Sequence, residues 1–182
     1  LNFFIYLIIG VFIAGLMVGR TPEFMGKKIE AREIKIAAIV TLLHPFLILV
    51  GTAIASYIAA HTSVDWLNNS AYHGFSEMLY EFTSASANNG SGFEGLKDNT
   101  YFWNISTGMV MLAARFIPII GPVAIAGFLA EKKFIPESAG TLKIDSATFS
   151  IVLIAVIVIV AALSFFPALS LGPIAEHLTM NY

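Results

Sequence analysis

A chain of 182 residues that is 57% hydrophobic and 12% charged departs from soluble domains, which carry about 45–50% apolar and about 25% charged residues; its mean hydropathy of +0.80 points to a bilayer as solvent. The net charge of -2 leaves no basic footprint for nucleic acid. Cysteine is absent, which excludes disulfide frameworks and thiolate metal sites.

Leu1 to Gly19 is an uncharged apolar run of about the 20 residues a spanning helix needs. It starts on Leu, without the charged start of a signal peptide, and the chain reads as a C-terminal portion of a longer membrane protein. Residues 20–35 then hold five basic residues, Arg20, Lys27, Lys28, Arg32 and Lys35. Within them "TPEF", with Pro22 at a first turn, suits a helix N-terminus. A second span covers 36–60, uncharged apart from His44 beside Pro45. With no second histidine at ligand spacing, His44 reads as a packed or hydrogen-bonded residue.

The connection from His61 to Thr100 has one basic residue, Lys97, against Asp65, Glu77, Glu81, Glu94 and Asp98. A third span, 101–130, is interrupted by Arg115, and Pro118, Gly121 and Pro122 behind it predict a kink or break. Residues 131–146 carry Lys132, Lys133 and Lys143. A fourth uncharged span, 147–175, closes the series. The basic bias puts 20–35 and 131–146 in the cytoplasm and 61–100 outside. Trp66 and Trp103 flank that outer stretch, as interfacial aromatics do.

Within the outer stretch, "HGFSEMLYEFTS" (73–84) places Phe75, Met78, Leu79 and Phe82 on one helical stripe, with Glu77 and Glu81 opposite. The predicted helix, 73–85, is about half as long as the hydrocarbon core is thick, so it cannot cross. A surface-lying helix carries Lys and Arg on its polar face, and this one carries Glu. Re-entry is the better reading, and irregular backbone at that depth is tolerated inside protein or beside a wet cavity. The following "ASANNGSG" is unbranched and rich in free carbonyls, with Gly90 and Gly92 permitting close backbone approach. The negative end of the helix dipole points at this loop and favours a cation. Half-helix, glycine loop and span make the plan of a carbonyl-lined cation filter. Two plainer readings stand beside it: Asn-Gly is a common turn pair, and "NGS" at Asn89 and "NIS" at Asn104 match the glycosylation pattern. Arg115, at a depth where a charge costs roughly 2.5–3.5 kcal/mol, is a functional candidate by default, the alternative being a structural ion pair.

Two stretches support a family. "GRTPEFMGKKIE" (19–30) and "TSASANNGSGFEGL" (83–96) resemble signatures of the potassium-binding subunit of bacterial Kdp-type potassium-transporting ATPases, and the resemblance runs over the whole chain. That family is similar to the Trk/Ktr/HKT potassium transporters, whose pore is four repeats of helix, pore loop and helix. The resemblance implies an all-α integral membrane fold with four transmembrane helices, one re-entrant pore half-helix and a filter loop. Residues 1–19 would be the second helix of the third repeat. Residues 36–130 would be the fourth repeat (helix 36–60, pore helix 73–85, filter loop 86–92, helix 101–130), followed by a last helix at 147–175.

It also implies that Asn88, Asn89, Gly90 and Ser91 supply a quarter of the filter, and that Arg115 lies beneath it as a gate or electrostatic barrier. Potassium is then the transported substrate, with no cofactor and no metal centre. The implied partners are a P-type ATPase subunit, small accessory subunits, the N-terminal remainder of the same polypeptide and membrane lipid, in a bacterial inner membrane. No "DKTGT" aspartate site occurs, so ATP hydrolysis falls to a partner and the chain is not an enzyme by itself. The rivals are a passive potassium channel or symporter of the same superfamily, an integral-membrane enzyme, for which no cluster of His, Asp or Glu stands within a span, and an inert anchor, which leaves the half-helix unexplained.

Overall fold

The computed structural model describes residues 1–136, 143–164 and 166–180. They form six helices and one small hairpin: α1 (Asn2–Val18), β1 (Glu23–Phe24), β2 (Lys27–Lys28), α2 (Ala31–His61), α3 (Ala71–Ser86), α4 (Tyr101–Glu131), α5 (Ala147–Ser164) and α6 (Phe166–Thr179). Among the described residues α2, α4 and α5 are long and apolar enough to cross a membrane, and α1 is apolar but shorter. The architecture is helical and membrane-integral, as the composition requires. By contacts the chain divides into two units, Leu1–Leu42 with Ile117–Ala161, and Leu43–Phe116 with Ala162–Tyr182.

In the first unit α1 ends in a Schellman turn, where Gly19 at φ 67 lets Arg20 N–H reach Gly15 O at 2.8 Å and so satisfies a free terminal carbonyl. The "TPEF" segment starts no helix. Glu23–Phe24 pairs antiparallel with Lys27–Lys28 around Met25 and Gly26, both at positive φ, which is the backbone that a primed two-residue hairpin turn needs. The helix begins instead at Ala31, five residues before the expected start, because Glu33 in its first turn accepts the Glu30 backbone N–H at 2.8 Å. That is the acidic half of a capping box.

Glu33 is 1% exposed, and its charge is matched by Lys132, whose Nζ donates to Glu33 Oε2 at 2.8 Å and to Lys28 O at 2.9 Å. Burial lowers the Lys132 pKa, but hydrogen bonds to Glu33 and Glu30 outweigh it and hold the ammonium above its usual range. The basic connection is thus a folded knot and not only a solvated positive-inside loop. Beneath it Ile5, Ile8, Val11, Ile125 and Phe149 form a buried core.

The second unit is built around α3. It has 16 residues, three more than the predicted 73–85, and it is buried on more than its apolar stripe. Met78, Leu79 and Phe82 are buried as their spacing predicts, but Glu77 and Glu81 on the face read as polar are 0% and 9% exposed. Trp66 and Trp103 are also interior: Trp66 stacks on Phe102 at 4.8 Å, and Trp103, 1% exposed, meets Phe82 at 5.4 Å. Both tryptophans therefore pack into the apolar cluster that holds Met78 and Phe82 of α3.

The run 147–175 is helical on both sides of residue 165, which lies outside the described residues, as α5 and α6. Pro118 and Pro122 lie inside α4, which continues past both. The α6 helix packs against α3. Gly172 abuts Ser76 Oγ and sits close to Tyr72 O, so that any side chain there would collide. His73 Nδ1 lies 3.3 Å from Glu176 on the same face. Of the expected connection 131–146, residues 137–142 lie outside the described residues.

Candidate functional site

The α3 helix delivers the "ANNGSG" loop. Its last turn closes with Ala87 N–H on Thr83 O and Asn89 N–H on Ser84 O. The chain then leaves the helix with Asn88 at φ 55 and Gly90 at φ 82. Asparagine is one of the few non-glycine residues that visits this region readily. Among the described residues no backbone N–H bonds to the carbonyls of Asn88, Asn89, Gly90 or Ser91. Four consecutive acceptors without internal partners stand at the negative end of a helix, so the loop carries unsatisfied negative potential. All four residues named from the sequence lie in this one loop.

Side chains hold the loop in shape. Ser91 Oγ meets Tyr80 Oη at 2.9 Å, Ser84 Oγ at 3.2 Å and Asn89 Nδ2 at 2.8 Å. Three bonds saturate a hydroxyl, which has one donor and two acceptor positions. Ser91 is therefore tied back to α3 through its side chain, which leaves its carbonyl free. Below, Ser86, 1% exposed, bonds His44 Nδ1 at 2.8 Å. This hydrogen bond joins α3 to α2 and gives His44 the structural part that its isolation in the sequence suggested.

Arg115 is brought to the same place. Its Nε donates to Asn88 Oδ1 at 3.0 Å, across 27 residues of sequence. The side chain is otherwise exposed on α4, and the contact sets a fixed positive charge beside the first loop residue.

Sequence reasoning missed Tyr80, Ser84 and the carboxylates. Glu77 accepts Asn68 N–H at 3.1 Å, Asn69 N–H at 3.0 Å and Asn69 Nδ2 at 2.7 Å, which pins the approach loop to α3. Removing a buried carboxylate that serves three donors leaves each donor unsatisfied. In the complete transporter Glu77→Ala is expected to lower stability by roughly 3 kcal/mol, read as a fall in unfolding temperature. Glu77→Gln should recover part of that loss, since its amide oxygen still accepts. Glu81 is different: burial first, and the charge of Asp98 second, push its carboxyl above the ordinary range. The available signal was two glutamates four apart on a helix with no Lys or Arg to pair them.

An apolar groove of about 320 Å³, lined by Phe46, Val50, Ile54, Phe102 and Met109 among others, also lies in this unit. Its walls are almost wholly hydrocarbon and offer nothing to an ion.

Residues 1–178 match the family model described as potassium-transporting ATPase A subunit. The chain is similar to proteins named potassium-transporting ATPase potassium-binding subunit from several bacteria. It is 65% identical to that of Flavobacterium psychrophilum over 100% of this chain and 33% of the relative. It is 64% identical to that of Phocaeicola vulgatus over 99% of this chain and 33% of the relative, and 53% identical to that of Geobacillus kaustophilus over 99% and 32%. The chain thus spans about a third of the length of the curated relatives it matches. With a family model covering nearly all of it, this chain belongs to the potassium-transporting ATPase A subunit family.

Proposed function

We propose that the chain forms the last quarter of the pore in the potassium-binding subunit of an ATP-driven potassium importer. In this reading residues 1–19 close the third repeat, 36–130 make the fourth, and 147–175 follow as α5 and α6. The α3 helix is the pore helix, and the loop 86–92 is one strand of the filter. Potassium sheds water against the carbonyls of Asn88, Asn89, Gly90 and Ser91, which replace its hydration shell. Arg115 stands under this loop as an electrostatic barrier.

The observation that carries the reading is the row of four carbonyls without internal partners, exposed by a helix too short to span. The names of the relatives support potassium as the substrate and assign the chain a transport role. Hydrolysis of ATP then belongs to a P-type ATPase subunit, with small accessory subunits completing the complex. The basic connections face the cytoplasm and the loop faces outside, in the bacterial inner membrane.

The test is anomalous scattering from the complete complex crystallised with thallium, a potassium surrogate. The expected result is a peak bounded by backbone carbonyls of residues 88–91. A peak held by side chains elsewhere, with none at this loop, overturns the assignment.

A further inference from the structure

The carboxylates next to the loop have no part in the carbonyl filter. Glu81 lies on α3, and it is 9% exposed. Its Oε2 is fully buried and has no hydrogen-bond partner among the described residues. Asp98 is exposed and approaches from the segment that leads into α4. Gly92 lies between them. A Cβ on Gly92 would stand 3.3 Å from Glu81 Oε2 and 3.3 Å from Asp98 Oδ2. The missing side chain therefore leaves a space walled by two carboxylate oxygens, at most twice that distance apart. Lys97, the neighbouring cation, pairs with Asp65.

We infer that Glu81 and Asp98 form a second cation site across Gly92, which takes a monovalent alkali cation beside the carbonyl loop. A buried anionic oxygen without a partner is costly, and a close pair of carboxylates more so; a cation between them offsets both. The chemistry favours a large, weakly hydrated ion, because Mg²⁺ and Ca²⁺ gather several oxygens at about 2.0–2.6 Å. The ligand count agrees. Among the described residues no three His, Asp or Glu side chains gather as a metal site, whereas Ca²⁺ draws on about six to eight oxygens.

The site lies outside the carbonyl row and uses other atoms, so it goes beyond the filter reading. It gives the loop a place where a cation waits before losing its remaining water.

The experiment uses the complete complex and potassium uptake. Asp98→Asn and Glu81→Gln are each expected to raise the KM for potassium about fivefold at little-changed maximal rate, with rubidium discrimination intact. Gly92→Ala, which fills the space, should do the same. If the two carboxylates serve one ion, the double variant should be scarcely worse than either single, as coupled residues behave. Asp98 is on the surface, so its variant tests the site even if Glu81→Gln impairs folding. An unchanged KM in both Asp98→Asn and Gly92→Ala overturns the inference. So does a silent Asp98→Asn beside a destabilised Glu81→Gln, which reduces Glu81 to a structural acid. Lost rubidium discrimination in these variants overturns it too, since the loop itself would then be disturbed. Failure of the filter reading shows separately, in the Gly90 variants.

Discussion

Gly90→Asp in the complete transporter is expected to weaken potassium affinity at least tenfold, or about 1.4 kcal/mol, and to erode the preference for potassium over rubidium. Two effects add. Gly90 sits at φ 82, where a residue with a Cβ pays roughly 1–2 kcal/mol, so the loop relaxes and its carbonyls turn. The new carboxylate then stands among those carbonyls and competes with them for the ion. Sterics do not decide the outcome, because a Cβ at Gly90 meets nothing within 4 Å. Gly90→Ser carries the backbone strain without the charge and should fall between wild type and Gly90→Asp. Potassium and rubidium titrations of the purified complex separate the two. If affinity and discrimination both survive Gly90→Asp, the loop is not the filter.

Arg115→Gln should loosen the link between ion movement and ATP hydrolysis. A unit charge about 8 Å from an ion is worth roughly 2 kcal/mol at an effective dielectric constant near 20. The guanidinium, bonded to Asn88, lies within a side chain's reach of the loop. Glutamine keeps a donor for Asn88 Oδ1 but removes the charge, so it tests the barrier more than the hydrogen bond. The expected readout is a severalfold rise in potassium leak in proteoliposomes without ATP, together with fewer ions moved per ATP. Arg115→Lys, which keeps the charge, should restore much of the coupling. Unchanged affinity and coupling in Arg115→Gln would assign the arginine to loop support alone.

What could be read from the sequence follows from how local each feature is. The core stripe of α3 is a matter of spacing, and Met78, Leu79 and Phe82 are buried as it predicts. The opposite face was misread because Glu77 and Glu81 are covered by residues from distant loops, near Asn68, Gly92 and Asp98, and no periodicity encodes that cover. The Met25–Gly26 hairpin lacks the usual Asn-Gly signal, and Pro22 imitates a helix start. The loop residues 88–91 were legible because they are contiguous. Their link to Arg115, 27 residues away, required the fold.

The buried bond between Glu33 and Lys132 joins residues 99 apart and so bears on the order of biogenesis. When α2 leaves the ribosome, Glu33 lacks this partner, because Lys132 follows α4 and is still to be made. A carboxylate left alone resists leaving water, so that end of α2 stays hydrated until α4 has been synthesised.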